Sequence, residues 1–159
     1  MYRVALLVLS DRAAAGTRPD TTIPVMKAKL GDAFEIVRER VLPDDPAQLQ
    51  AELIDIADAG TADLILTSGG TGLSPRDRTP QATAAILDYE VPGIAEAIRA
   101  ESLKIVRTSM LSRLLAGVRH RTLIVNLPGS PKAVGESLDA IVTVLPHAIE
   151  LLSDRVNDG

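Results

Sequence analysis

The chain has 159 residues, a formal net charge of −4, no cysteine, and aromatic side chains at only 2% of its positions. The lack of cysteine excludes disulfides, thiolate chemistry and zinc–cysteine sites, while the lack of tryptophan and of any basic run argues against nucleic acid as a partner. With 46% hydrophobic and 24% charged residues, the composition is that of a globular protein with an aliphatic core, and the length suits one domain over residues 1–159.

Residues 3–9 form an apolar run that predicts the first strand, ending at Ser10-Asp11-Arg12. The run is too short to span a membrane and lacks a signal peptide's cleavage region, so a cytoplasmic protein without membrane attachment is expected. Residues 13–19 read as a loop. Residues 20–30 read as a helix, with Asp20 as its cap and Gly31 as its stop. A second strand covers 34–41 and ends at Pro43-Asp44. Asp45-Pro46 then opens a helix with Leu49, Leu53, Ile56 and Ala57 on one face and Gly60 beyond its end.

Residues 64–67 are the third predicted strand. Thr79-Pro80 reads as a helix cap followed by proline at the first helical position, with helix to about Leu87. A further helix is expected over 93–106, then an irregular or hairpin-like stretch over 110–119. A strand over 122–127 ends at Pro128-Gly129-Ser130. Ser130-Pro131 opens the last long helix, with Val134, Leu138, Ile141, Val142 and Leu145 at helical spacing. Pro146 starts or kinks a final piece, and residues 153–159 are expected to be loose. Strands alternating with helices imply an α/β fold, a mostly parallel sheet covered on both faces.

The strand ends carry the polar residues, and in a parallel sheet those ends share one edge, where ligands bind. The loop Ser68-Gly69-Gly70-Thr71-Gly72 exposes backbone N–H groups with little side chain in the way, which suits an anion; a plain turn is the alternative. No lysine follows these glycines as in G-x-x-x-x-G-K-[ST]. Pro75 stands where G-x-G-x-x-G needs glycine, so a plain ATPase and a plain nicotinamide enzyme are both disfavoured. Asp44 and Asp77 are the acids to watch. Each has a structural reading as a loop acid or an ion-pair partner, but beside a phosphate site Mg²⁺ uses one or two carboxylates with waters and phosphate oxygens. Lys132 falls in the first turn of the helix that Ser130 caps, where the helix dipole disfavours a cation unless an anion binds; otherwise it swings into solvent. His120 and His147 show no metal or triad spacing and read as structural or exposed.

At these residues the chain resembles the molybdenum-cofactor biosynthesis proteins, the molybdopterin adenylyltransferases, whose eukaryotic counterpart is the G domain of gephyrin. The resemblance rests on Ser68-Gly69-Gly70-Thr71-Gly72 with Pro75-Arg76-Asp77, Thr79-Pro80 and Ala82-Thr83. It extends to Ser10-Asp11-Arg12, Pro43-Asp44, Pro92-Gly93 with Glu96, Leu111-Ser112-Arg113, Ala116-Gly117, and Asn126 through Ala133. It implies a three-layer αβα sandwich, commonly assembled as a trimer. It also implies that the terminal phosphate of molybdopterin attacks the α-phosphate of ATP, with Mg²⁺, giving adenylylated molybdopterin and pyrophosphate.

On this resemblance Asp44 and Asp77 organise metal or position phosphate and are the catalytic pair. The substrate- and nucleotide-binding positions it implies are Ser10, Asp11, Arg12, Ser68, Gly69, Gly70, Thr71, Gly72, Arg76, Glu96, Ser112, Arg113, Asn126, Pro128, Gly129, Ser130 and Lys132. A downstream molybdate-inserting protein is an implied partner. The chain departs from the family pattern at Asp20-Thr21-Thr22-Ile23-Pro24, at Arg78 and at Gln81. The alternative within the same resemblance is a paralogue that binds molybdopterin with little or no turnover.

Overall fold

The first strand, β1 (Tyr2–Leu9), is buried on both sides: Val4, Leu6 and Val8 belong to one apolar cluster, and Ala5, Leu7 and Leu9 to another. Successive side chains point to opposite faces of a strand, so a strand apolar at every position lies in a sheet covered on both faces. The computed structural model, which describes residues 1–154, shows that sheet.

After β1 come a short helix α1 (Asp11–Ala14), α2 (Thr22–Leu30), β2 (Phe34–Leu42), α3 (Pro46–Ala59), β3 (Leu64–Ser68) and α4 (Thr79–Ala84). The second half holds β4 (Tyr89–Glu90), α5 (Pro92–Leu103), a 3-10 turn (Arg107–Leu111), β5 (Ala116–Arg119), β6 (Thr122–Leu127), α6 (Pro131–Ile141) and α7 (Leu145–Leu152). The strand order is β2-β1-β3-β6-β5-β4. The first four are parallel; β5 and β4 are antiparallel to their neighbours. In register, Val4 sits beside Leu64 and Leu64 beside Leu123, while Val8 sits beside Ser68 and Ser68 beside Leu127.

One face of the sheet is covered by α2, α5, α6 and α7 through Met26, Ile98, Val134, Leu138 and Ile149, and the other by α3 and α4 through Leu49, Leu53, Ile56 and Ala82. The result is the three-layer α/β fold expected from the sequence. Each fully buried Leu or Ile contributes about 1.5–3 kcal/mol. The strands are therefore held by their middles, and their polar ends are free for other uses. Helix α3 follows the sequence reading closely. Asp45 Oδ1 accepts from Ala47 N–H at 2.9 Å and Gln48 N–H at 3.4 Å, Pro46 is the first residue, and Gly60 ends the helix at φ +64°. Helix α2 begins at Thr22, two residues past the expected start, but Asp20 still accepts from the N–H groups of Thr22 and Ile23 there.

Several expectations are corrected. The stretch read as loop from residue 13 lies partly in α1, because Ser10 Oγ accepts from Ala13 N–H at 3.2 Å and caps a helical turn. Thr79 is not a cap. It lies inside α4, its N–H donating to Gly70 O at 3.1 Å, and α4 stops at Ala84 rather than near Leu87. Helix α5 ends at Leu103, short of the expected 106. The irregular or hairpin-like stretch is as expected: a 3-10 turn ends at Leu111, and β5 forms an antiparallel hairpin with β6, Arg119 beside Thr122. Of the end expected to be loose, Ser153 N–H donates to Ile149 O at 3.0 Å and closes α7, while Asp154 is exposed and pairs with the exposed Arg121 at 3.2 Å. The rest of the expected loose end, 155–159, lies outside the described residues. No helix among the described residues is long and apolar enough to cross a membrane.

Candidate active site

Four parallel strands end on one edge of the sheet, and the chain leaves them through residues 10–12, 43–45, 69–72 and 128–130. Strand β5 runs the other way, so residues 112–115, which lead into it, reach that same edge.

The loop after β3 passes close to its neighbours. Gly69 has φ +101°, and a Cβ there would collide with Leu9 O; Gly70 has φ +71°, and a Cβ would collide with Thr79 Oγ1. Glycine alone tolerates both conditions. Gly69 N–H donates to Leu127 O at 3.1 Å, and Ser68 Oγ donates to Pro128 O at 2.8 Å, so the exits of β3 and β6 are bound together. Across from them, Ser130 Oγ accepts from Ala133 N–H at 3.2 Å and starts α6, whose N-terminus opens on the same edge.

The acids come from the start of α1 and from two loops. Asp44 N–H donates to Asp11 Oδ1 at 2.9 Å, and Arg76 Nη2 lies 2.6 Å from Asp11 Oδ2 and 3.3 Å from Asp44 O. Burial pushes the Asp44 carboxyl above its ordinary value, against a hydrogen bond from Asp11 N–H; the Asp11 and Asp77 charges add to the rise and Arg76 opposes it. Asp77 Oδ2 accepts from Ser74 N–H at 3.0 Å, and a Cβ on Gly72 would come within 2.8 Å of it. Among the described residues no three His, Cys, Asp or Glu side chains could cage a metal by themselves. Asp44 and Asp77 instead offer carboxylate oxygens alone, a hard donor set that fits an ion completing its shell with water and phosphate oxygens, as Mg²⁺ does.

An open cavity of about 330 Å³ lies beside this edge, lined by Thr71, Gly72, Arg99, Ser112, Pro128 and Ser130 among others. A smaller recess of about 110 Å³ on the other side of Gly129 is lined by Ser10, Arg18, Asp20, Thr21 and Ser68. Ser112 Oγ donates to Thr71 Oγ1 at 3.3 Å, and Arg113 Nε donates to Gly72 O at 2.9 Å.

The structure thus draws together Ser10, Asp11, Asp44, residues 68–72, Arg76, Asp77, Ser112, Arg113 and residues 128–130. Others stand apart. Arg12 is exposed, with no side-chain ion pair among the described residues. Glu96 is exposed on α5 and joins none of these hydrogen bonds. Lys132 is 81% exposed and faces Glu136 at 3.7 Å. Asn126 is fully buried, its amide donating to Thr67 Oγ1 at 3.0 Å and Thr83 Oγ1 at 3.1 Å, so it braces the sheet from within. Nothing in the sequence marks Arg99. It is a polar residue in the middle of α5 with no motif around it, yet its Nη1 donates to Ser112 O at 3.2 Å and Leu114 O at 2.8 Å.

The fold and this edge are those of the α/β class that receives small ligands in strand-end loops. The family described as probable molybdopterin binding domain matches residues 5–147, and the chain belongs to it. It is 41% identical over 143 residues to the molybdopterin adenylyltransferase of Escherichia coli K12, covering 87% of this chain and 73% of the relative. It is 36% identical over 152 residues to the molybdopterin adenylyltransferase of Helicobacter pylori J99, covering 94% and 86%. A crystal structure of the molybdopterin biosynthesis enzyme MoaB from Thermus thermophilus superposes with a TM-score of 0.92 at 50% identity, covering 97% of this chain and 98% of that one.

Proposed function

We propose that the protein adenylylates molybdopterin: the terminal phosphate of molybdopterin attacks the α-phosphorus of ATP. A phosphorus–oxygen bond forms to the adenylyl group, the bond to the β-phosphate breaks, and pyrophosphate leaves. The observation that carries this reading is that the loops bearing Asp44 and Asp77 share the strand-end edge with the Gly69–Gly70 turn and the N-terminus of α6, Arg76 from the Asp77 loop reaching Asp44 O at 3.3 Å. Relatives at 36–41% identity that carry the name molybdopterin adenylyltransferase support it.

The nucleophile belongs to the substrate, so the protein's work is positioning and charge neutralisation. The N–H groups of the glycine loop and of the first turn of α6 suit phosphate oxygens. Arg76 holds Asp11 in place and lends positive charge to the edge. Asp44 and Asp77 would hold Mg²⁺, which when bound neutralises phosphate charge and orients the leaving group. The cavity lined by Arg99, Ser112 and Ser130 is roomy enough for the larger substrate.

We place the reaction in the cytoplasm, in a single domain that assembles as a trimer and hands its product to a molybdate-inserting protein. Purified protein incubated with molybdopterin, ATP and Mg²⁺ is expected to yield adenylylated molybdopterin and pyrophosphate. Tight molybdopterin binding with no product would assign the chain to the binding paralogues instead.

A further inference from the structure

The loop that presents Asp77 has little core beneath it. Leu73 is 64% exposed, and Ser74, Pro75 and Arg76 are exposed as well. Within its own loop Asp77 bonds Ser74, both by its carboxylate and by its N–H, the latter donating to Ser74 O at 2.8 Å. Burial therefore does not decide where this carboxylate sits; something outside the loop must.

Arg113 supplies that hold. Its N–H donates to Thr71 O at 2.8 Å, its Nε to Gly72 O at 2.9 Å and its Nη2 to Asp77 O at 2.5 Å. Three carbonyls, two from the start of the loop and one from Asp77 itself, converge on one residue. The guanidinium is a planar fork, so bonding two carbonyls at once fixes their separation as well as their positions. Arg113 is held in turn. Arg99 bonds the carbonyls on either side of it, those of Ser112 and Leu114, and Ser112 Oγ bonds Thr71.

We propose that Arg113 is the positioning residue of this site: it sets Asp77 through the loop backbone and does not hold a substrate phosphate, and Arg99 in α5 sets Arg113. The chain of bonds runs from α5, through the segment entering β5, to the catalytic loop. Nη1 of Arg113 has no acceptor among the described residues, so direct contact with substrate through that nitrogen is the rival role; it would register in KM rather than in kcat.

The kinetic part of the test rests on the proposed adenylyl transfer, and hydrogen exchange does not. In Arg113→Ala, kcat is expected to fall on the order of 10- to 100-fold, with KM for ATP and for molybdopterin within about threefold of the parent. Added guanidinium salt should restore a large part of the lost rate. Amides in 71–78 should exchange on the order of tenfold faster, while those of β1 and β6 stay unchanged. Unaltered kcat, or a rise in KM on the order of tenfold with kcat kept, overturns the proposal. Should the alanine variant not fold, Arg113→Lys carries the same comparison, because an ammonium on a flexible stem lacks the planar fork that fixes the separation of two carbonyls; parental kcat and exchange in that variant also overturn it. Absence of product from the parent protein would sink the adenylyl-transfer reading alone, and the exchange result would still decide the role of Arg113.

Discussion

Asp11 and Asp44 hold each other through their own backbones: Asp44 N–H donates to Asp11 Oδ1 at 2.9 Å, and Asp11 N–H donates to Asp44 Oδ2 at 3.3 Å. The exits of β1 and β2 are thereby locked together. The lock keeps two carboxylates adjacent, with Arg76 paired to Asp11 as their nearest cation. Like charges held close cost stability unless a ligand or ion relieves them.

That cost has a sign that can be measured. The folded-state pKa of Asp44 is raised, first by burial. The folded protein therefore binds this proton more readily than the unfolded chain does. Stability contributed by protonated Asp44 is present below the ordinary carboxylate range and is lost as pH rises through the raised folded value. Asp44→Asn is expected to abolish product formation and to raise Tm at neutral pH, with the gain vanishing below about pH 3. A variant less stable than the parent at pH 7 would contradict this account.

Asp77→Ala should also abolish turnover, but without the gain in stability. Asp77 sits in an exposed loop, and among the described residues its carboxylate bonds Ser74 N–H alone. Circular dichroism and Tm within a few degrees of the parent, combined with a rate loss of about 10³-fold or more, are the expected pair of results. Near-parental product formation would remove Asp77 from the catalytic pair.

Much of this arrangement is legible in the sequence, and the unreadable parts share a cause. Asp45, Pro46 and Gly60 mark α3 because capping chemistry is local, and β6 reads at its true limits because Thr122 through Leu127 are flanked by turn residues. The site's strand-end residues follow once the sheet is taken as parallel. The four-residue α1 is too short to show periodicity, and β4 is two exposed residues held by pairing alone. The Thr79 N–H is engaged by Gly70, which the cap pattern of Thr79-Pro80 does not reveal. Asn126, Arg99 and Arg113 are harder still. Their partners are carbonyls and hydroxyls from other segments, as with Arg113 and Asp77, and such pairings leave no local signature.

Lys132→Ala tests the rim of the site. The side chain is 81% exposed and only loosely paired with Glu136, so stability should not change. Affinity for molybdopterin is expected to weaken roughly three- to tenfold at low salt, and by less as ionic strength rises. Titration calorimetry at two salt concentrations reads both effects. Equal affinity at low salt would leave Lys132 in solvent.

Assembly is the remaining expectation. Leu103 at the end of α5 and Ile105, Val106, Met110 and Leu111 beyond it are all exposed, an apolar stretch on a chain expected to form trimers. Light scattering at micromolar concentration should return three times the 16.9 kDa chain mass. A monomer mass would contradict self-association, and polar substitutions at Ile105 and Met110 should dissociate the trimer if this stretch forms its contact.

The inner strands β1, β3 and β6 pair Val4 with Leu64 and Leu64 with Leu123. No two of them are close in the chain, so each pairing must close a long loop before it gains anything, which slows folding relative to helical bundles of similar size. The cavity is lined by segments as far apart in the chain as Thr71, Arg99, Ser112 and Ser130, so a fragment lacking any of them lacks part of its wall. During refolding from denaturant, helical signal should therefore return ahead of ligand affinity, and proteolysis within any one of the three strands should abolish binding outright.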